Sequence, residues 1–189
     1  HGVHPHLGSD DVRQTGPYLT ADPARAPRFL SGLPPARLRI GVSWQGNPEH
    51  PDDRFRSFRL SRLAGVAALP GVQLVSLQRG PGTEQIDQVG FEVHRLGPDL
   101  DADGAFVDTA AVVSKLDLVI ACDSAVGHLA GALDVPCFLA LAYAPCWRWI
   151  PGAESTPWYR CHRLFHPPRP HDPRPVFDAI AQAIGSMLT

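Results

Sequence analysis

From Leu38 onward, short apolar runs alternate with segments whose apolar residues recur every three or four positions. The helical spacing appears in "LSRLAGVAAL", "FVDTAAVVSKL" and "SAVGHLAGAL", and Asp172 before Pro173 predicts the cap of a closing helix. The apolar runs predict strands at "LRIGVSW", "VQLVSLQ", "FEVHRLG", "LDLVIAC", "PCFLALA" and "CHRLFHP". Apolar strands separated by helices predict an α/β fold: a Rossmann-like, doubly wound parallel sheet of five or six strands.

The first 36 residues have a different texture. Stretches such as "GPYLTADPARAPRFL" and "GLPPA" are rich in proline and glycine, with room for one short helix around residues 23 to 30. We therefore expect residues 1–36 to be a linker or an added leader, and residues 37–189 to form the domain. Because the first residue is His1 and not Met, we also expect the chain to be a piece of a longer polypeptide.

Composition narrows the class of protein. A chain of 189 residues with 44% hydrophobic content can bury one sizeable core, and a net charge of -2 argues against a nucleic-acid-binding protein. No window has the length and apolarity of a transmembrane segment, so we predict a cytoplasmic protein. The four cysteines show no CxxC spacing, which favours reduced thiols.

Polar or glycine-bearing segments follow three of the predicted strands. They are "SWQGNPEHPDDRFRS", "LQRGPGTEQ" and "CDSAVGH". Ligands of open parallel sheets bind outside the carboxyl ends of the strands, so these segments predict a binding site. In the third segment, Asp123, Ser124 and His128 can project from the first turns of one helix; the alternative is that Asp123 and Ser124 only cap that helix.

Three other motifs resemble ligand sites but lack essential positions. "DLDADG" resembles a calcium loop, yet its twelfth position is Ala110 and not a bidentate Glu. "GPG" resembles a dinucleotide fingerprint, but Gln85 stands at the third glycine position. The histidines of "HGVHPH" lie in a terminal tract, where metal binding is more often accidental. We therefore predict neither a metal nor a bound cofactor.

Four stretches carry a family resemblance that covers roughly residues 36–188. They are "IGVSWQGNPEHPDDRFRSFRL", "SLQRG", "VDTAAVVSKLDLVIACDSAVGHLAGAL" and "WRWIPG...STPWYRCHRLF". Together they resemble the carboxyl-terminal half of GT-B glycosyltransferases of the ADP-heptose:lipopolysaccharide heptosyltransferase-like family, in versions fused to bacterial tetratricopeptide repeats. Ser124 replaces the usual threonine and keeps its hydroxyl, whereas Ala125 replaces a common glycine and slightly narrows the space beside a phosphate.

The resemblance implies a domain that binds a nucleotide-diphosphate sugar as substrate. Asp123 is then expected near the hydroxyls of the transferred sugar, and Gln78 near the base or ribose. The expected diphosphate contacts are Ser43, Arg56, Ser124, Ala125 and His128, with Arg54 nearby. The helix start and the arginine supply positive potential without a metal.

The resemblance also implies inverting transfer to a saccharide, lipid-linked or protein acceptor. The catalytic base of such enzymes lies in an amino-terminal GT-B domain, which we expect in the parent chain, so the catalytic residues stay unknown here. The isolated chain should be inactive or nearly so. The alternative function is a non-catalytic ligand- or partner-binding module derived from such an enzyme.

Each assignment has a structural alternative. His128 can be a satisfied groove histidine, and Arg54 and Arg56 can be ordinary charges paired with Asp52 and Asp53. The tryptophans at 147, 149 and 158 are expected to anchor the packing of the loop over residues 143–160, with sugar stacking as the alternative.

Overall fold

The computed structural model describes residues 16–170 and 172–189. The "HGVHPH" tract and the other residues up to position 15 lie outside the described residues, as does position 171.

A five-stranded parallel sheet forms the centre of the domain, in the order β2-β1-β3-β4-β5. Because all its strand pairs are parallel, the carboxyl ends of the strands share one edge. This confirms the predicted sheet, with five strands rather than six. The strands are β1 (Leu38–Ser43), β2 (Val72–Ser76), β3 (Leu118–Ala121), β4 (Cys137–Ala140) and β5 (His162–Phe165).

Helices cover both faces of this sheet. One face packs under α1, α4 and α5, and the other packs under α3 and α6. These helices are α1 (Pro27–Leu30), α2 (Asp53–Arg56), α3 (Ala64–Ala67), α4 (Val107–Val113), α5 (Ala125–Ala132) and α6 (Arg174–Leu188). The 3₁₀ turns Leu60–Leu63 and Thr83–Gln88 complete the regular structure. The two buried clusters explain why the strands are apolar on both sides.

The prediction of a strand at "FEVHRLG" is wrong. Only an isolated bridge forms there: the Ser76 amide donates to the His94 carbonyl, and the His94 amide donates to the Leu74 carbonyl, both at 2.8 Å. The buried side chains of this segment are Val93 and Leu96, three positions apart, whereas a strand buries alternate positions. At the opposite edge, the Leu164 amide of β5 donates to the Glu154 carbonyl at 2.9 Å.

The start of α6 also differs from the prediction. Pro173 occupies the cap position, and the helix begins at Arg174. Asp172 makes no capping hydrogen bond, because its carboxylate accepts instead from the Arg174 side chain at 3.3 Å.

The segment before β1 contacts the rest of the domain. Phe29 of α1 is buried in the core, and the Tyr18 and Leu19 amides both donate to the Ala132 carbonyl at the end of α5. Arg25 pairs at 2.8 Å with the buried carboxylate of Asp108, whose pKa the guanidinium lowers. A domain boundary at residue 37 stays a prediction.

Two glycines let α5 pack unusually close to its neighbours. A Cβ atom at Gly127 would lie 2.8 Å from a methyl carbon of Leu139. A Cβ atom at Gly131 would lie 2.3 Å from Cδ1 of Tyr159 and 2.8 Å from Cε1 of His162. Real side chains do not approach this closely, so the two rings can lie against α5 only because position 131 carries no side chain.

We expect Gly131→Ala to destabilise the protein by about 1–3 kcal/mol, the usual cost of overpacking, although alanine is the better helix former. Chemical denaturation measures the loss. The control is Gly65→Ala in α3, where the added Cβ would meet Ala181 at an ordinary 3.6 Å. Equal effects of the two substitutions would contradict the close packing at Gly131.

Candidate functional site

The three polar segments meet at the carboxyl edge of the sheet, as their positions after β1, β2 and β3 predict. The backbone amides of Trp44 and Gln45 donate to the side-chain oxygen of Gln78 at 3.1 and 3.0 Å. The Cys122 amide donates to the Ser43 carbonyl at 2.9 Å. The ends of three neighbouring strands are thus joined by hydrogen bonds.

Gln78 is a buried clamp between the first two segments. Its amide nitrogen donates to the carbonyls of Gln45 and Pro81, both at 3.0 Å. Its side-chain oxygen also accepts a hydrogen bond from the buried Ser43 hydroxyl at 3.5 Å. This amide therefore holds backbone groups that would otherwise be buried without partners. A contact of Gln78 with base or ribose stays a prediction.

Arg56 is paired with a buried carboxylate. Its Nε lies 3.4 Å from Oδ1 of Asp53, and the Ser57 hydroxyl donates to the same oxygen at 2.8 Å. A Cβ atom at Gly46 would lie 2.5 Å from Asp53 and 3.1 Å from the Arg56 guanidinium, so a glycine is required below the pair. The pairing alternative holds for Arg56 with Asp53, whereas the Arg54 guanidinium lies over the Phe55 ring at 4.5 Å.

Helix α5 begins at this edge without a side-chain cap. Ser124 occupies the cap position with extended backbone but makes no capping hydrogen bond, so the predicted hydroxyl cap is wrong. Its Oγ is buried and interacts with the Cys122 thiol, whose pKa it lowers. The first residue of the helix, Ala125, is exposed. The first amides of a helix point outward, so this start presents N–H groups that no side chain occupies.

The charges of the site surround the Cys122 thiol at the end of β3. Burial is the main cause that raises the pKa of this thiol to about 12; the Ser124 hydroxyl and Arg56 act to lower the pKa, and the carboxylates of Asp53 and Asp123 act to raise it. All three charged groups are therefore within electrostatic range of Cys122, two residues before the cap position of α5. The thiol itself is protonated at pH 7 and is not a nucleophile.

His128, one turn into α5, belongs to an aromatic cluster with Trp149, Tyr159 and His162. Its ring stacks on Trp149, with centroids 5.2 Å apart, and its Nδ1 lies 3.1 Å from the Tyr159 hydroxyl. Burial lowers the pKa of His128, so that the ring is neutral at pH 7. The structural alternative thus accounts for one ring nitrogen, and the diphosphate contact stays a prediction.

The three tryptophans of the loop over residues 143–160 have different environments. Trp149 is buried, as expected of a packing anchor. Trp147 is 72% exposed and meets Trp158 edge-on at 5.8 Å. The Trp158 indole N–H donates to the Arg148 carbonyl at 3.0 Å, which braces the loop.

The sequence alone did not indicate three residues of the site: Asp53, Ser57 and Tyr159. The sequence indicates Asp53 only as the partner of an ordinary surface arginine, and the close approach of the Asp53 carboxylate to residue 46 requires the glycine there. The signal for Tyr159 was the aromatic density of "STPWYR", which fits packing and a site equally well.

Two absences apply to the described residues. Within residues 16–170 and 172–189, no group of three or more His, Cys, Asp or Glu side chains is placed to hold a metal ion. Among the helices of that part of the chain, none is long and apolar enough to cross a membrane. The middle one of the three acidic side chains in "DLDADG" has another role, because the Asp101 carboxylate accepts from the Asp108 and Thr109 amides at the start of α4.

No family model matches the chain. One similar curated protein is Protein FlbA of Caulobacter vibrioides, which is 35% identical over 157 residues. The alignment covers 78% of this chain and 25% of FlbA, so the chain spans about a quarter of that relative.

Three solved structures share the fold. E. coli heptosyltransferase WaaC with ADP-2-deoxy-2-fluoro heptose has a TM-score of 0.57 and 20% identity, over 84% of this chain and 46% of its own. For E. coli ADP-heptose LPS heptosyltransferase II the values are 0.60 and 14%, over 90% and 54%. For the family 9 glycosyl transferase of Veillonella parvula they are 0.56 and 15%, over 92% and 46%. The chain thus has an α/β fold similar to GT-B glycosyltransferase domains and spans about half of each neighbour.

His162 lies on the inner side of the aromatic cluster. Its ring is buried, stacks on Tyr159 at 4.7 Å, and donates from Nε2 to the Gly127 carbonyl at 3.1 Å. The Cys161 sulfur lies 3.5 Å from Nδ1, the remaining ring nitrogen. Burial lowers the pKa of His162 to about 4, and His128 contributes in the same direction.

We expect acid to destabilise the protein through His162. Its pKa is about 6.5 in the unfolded chain and about 4 in the folded one, so the unfolded state binds more protons between these values. The free energy of unfolding should fall as pH drops from 6.5 to 4. Urea titrations at several pH values should show a shallower fall in His162→Gln, which keeps an N–H donor but does not titrate. Parallel curves for wild type and variant would contradict this role.

Proposed function

We propose that the chain is the donor-binding domain of an inverting, metal-independent glycosyltransferase that uses a nucleotide-diphosphate sugar. The observation that carries the proposal is the uncapped, exposed start of α5 within electrostatic range of Arg56, at the carboxyl edge of a sheet similar to glycosyltransferase domains. Support also comes from the similar E. coli heptosyltransferase WaaC, whose structures include ADP and ADP-2-deoxy-2-fluoro heptose.

The proposed diphosphate contacts come from three kinds of donor. The Ala125 amide would bind a phosphate oxygen at the helix start, and the buried Ser124 hydroxyl would have to turn outward to join it. Arg56 would add charge, since its side chain is 24% exposed and the contact with Asp53 engages only its Nε. His128 would donate from the ring nitrogen that Tyr159 does not contact.

The remaining assignments follow from burial. Asp123 is partly exposed beside the helix start and would contact hydroxyls of the transferred sugar. Ser43 is buried and bonded to Gln78, so these two side chains would act mainly by holding the loops in place. Any contact of Ser43 with phosphate, or of Gln78 with base or ribose, would then come from a side chain that is already held in place by the hydrogen bond between the two residues.

The reaction needs the departing diphosphate to be stabilised. An acceptor hydroxyl attacks the anomeric carbon, the bond from that carbon to the diphosphate oxygen breaks, and the hydroxyl proton passes to a base. In this chain, Arg56, the α5 amides and His128 would bind the negative charge that develops on the leaving group. We assign no catalytic base here; a facing domain would supply it, together with the saccharide, lipid-linked or protein acceptor.

A second candidate is a ligand-binding module without catalysis. Asp53 offsets the charge of Arg56, and Asp123 adds another negative charge beside the helix start, which weakens the attraction for anions. Transfer of sugar from a nucleotide sugar by the longer parent protein would decide for the enzyme. Binding without turnover would decide for the module.

We expect Ala125→Leu to abolish stabilisation by nucleoside diphosphates, because the new side chain fills the space before the helix amides. The measurement is the melting temperature with and without saturating ADP, UDP or GDP. The control is Ala68→Leu, an exposed alanine just before β2 at the opposite edge of the sheet, which should keep the full shift. An undiminished shift in Ala125→Leu would mean that the nucleotide binds elsewhere.

Arg56→Lys should weaken binding of the preferred diphosphate by about 1.5–3 kcal/mol, roughly 10-fold to 150-fold. Lysine keeps the charge beside buried Asp53 but loses the planar fork, so the fold should persist. Isothermal titration calorimetry gives the affinity. The matched control is Arg54→Lys on the same short helix, where the guanidinium lies over Phe55. Equal losses in both variants would contradict a specific contact between the Arg56 guanidinium and the diphosphate.

A further inference from the structure

Three rings from distant parts of the sequence form a hydrogen-bonded chain that ends at His128. The Tyr18 hydroxyl lies 3.3 Å from the Tyr159 hydroxyl, and the Tyr159 hydroxyl lies 3.1 Å from Nδ1 of His128. Tyr18 comes from the segment before β1, Tyr159 from the loop after β4, and His128 from α5. The nucleotide-binding assignments do not require these two tyrosines.

The chemistry of the groups gives this chain a direction. A phenol O–H is a much stronger acid than a neutral imidazole N–H, and an imidazole nitrogen is a stronger base than a phenol oxygen. The favoured bond therefore has the Tyr159 O–H donating to Nδ1. Burial lowers the pKa of His128 and raises that of Tyr159, which keeps both groups neutral at pH 7. With its own proton on the bond to Nδ1, the Tyr159 oxygen is left as an acceptor for the Tyr18 hydroxyl, and each bond polarises the next.

Packing fixes the two inner rings. His128 stacks on the buried Trp149, and the Tyr159 ring rests on α5 where Gly131 leaves room. The backbone of Tyr18 is tied to the same helix through the Ala132 carbonyl at 3.0 Å. The imidazole therefore has little freedom to rotate or to exchange its nitrogens. In the described part of the chain, its Nε2 has no hydrogen-bond partner.

We propose that Tyr159, supported by Tyr18, is a positioning residue that holds His128 as the Nε2–H tautomer and so presents a neutral donor to the diphosphate of the ligand. The inference rests on the proposed function for its ligand, while the tautomer belongs to the protein alone. Tyr159 touches no ligand in this arrangement and acts only through the imidazole.

The tautomer can be measured without a ligand. In protein labelled with ¹⁵N-histidine, two-bond ¹H–¹⁵N correlation spectra at pH 7.5 should show His128 with protonated Nε2 and unprotonated Nδ1. Tyr159→Phe removes the hydroxyl with little change of shape and should yield a mixture of tautomers, and Tyr18→Phe should have a smaller effect. Tyr143→Phe, an exposed tyrosine of the same loop, is the control. Protonated Nδ1 in the wild type would overturn the inference.

The ligand half needs a double-mutant cycle with ADP, UDP and GDP. Tyr159→Phe should weaken binding of the preferred diphosphate about 3- to 10-fold in the wild type and have no effect in His128→Ala. Equal weakening in both backgrounds would overturn the positioning role, because the tyrosine would then act without the histidine. If the wild type binds none of the three, the donor site and the presentation to diphosphate both fail, and the tautomer spectrum decides the Tyr159 role separately.

Discussion

The close contact of α5 with its surroundings is the constraint on which the rest of the site depends. Gly127 lets the helix lie against β4, and Gly131 lets the rings of Tyr159 and His162 lie against the helix. With those rings in place, Trp149 is buried and stacks on His128. The position of the helix start, which carries the proposed ligand contacts, therefore follows from two missing side chains within one eight-residue helix.

The electrostatics of the edge are balanced and not simply positive. The Nε of Arg56 is paired with Asp53, and the Ser57 hydroxyl donates to the same carboxylate. A buried carboxylate that is paired and hydrogen-bonded fixes the arginine in one place, at the expense of some of its attraction for an anion. In the proposed site, the helix amides and the neutral imidazole would then be the more selective donors, because their geometry is set by packing and their strength depends less on salt.

The pattern of apolar residues predicted the sheet well because strands that are covered on both faces consist almost entirely of apolar residues. β1 and β3 are buried almost throughout, and their positions in sequence located the polar segments at one edge. The same argument failed for "FEVHRLG", where Val93 and Leu96 are buried three positions apart and a single bridge replaces a strand. A buried apolar residue beside a sheet therefore does not reveal whether its own backbone is hydrogen-bonded to a strand.

The site was less predictable, since it depends on contacts between distant segments. The capping motif placed Ser124 correctly at the helix start, but its hydroxyl is turned into the protein and caps nothing. The orientation of His128 depends on Tyr159, 31 residues away, and on a backbone position that only glycine can occupy. No local pattern contains such information.

The two backbone contacts at the outer strands have a consequence for self-association. An open sheet edge is a template on which another chain can add a strand, and proteins cover such edges to stay apart. Here the backbone at His94 pairs with part of β2. At β5, the Leu164 amide already donates to the Glu154 carbonyl, and the neighbouring Arg163 places an exposed charge on that strand. The bridge at His94 is too short to extend the sheet, but it leaves fewer backbone groups of β2 free to pair with a strand of another chain.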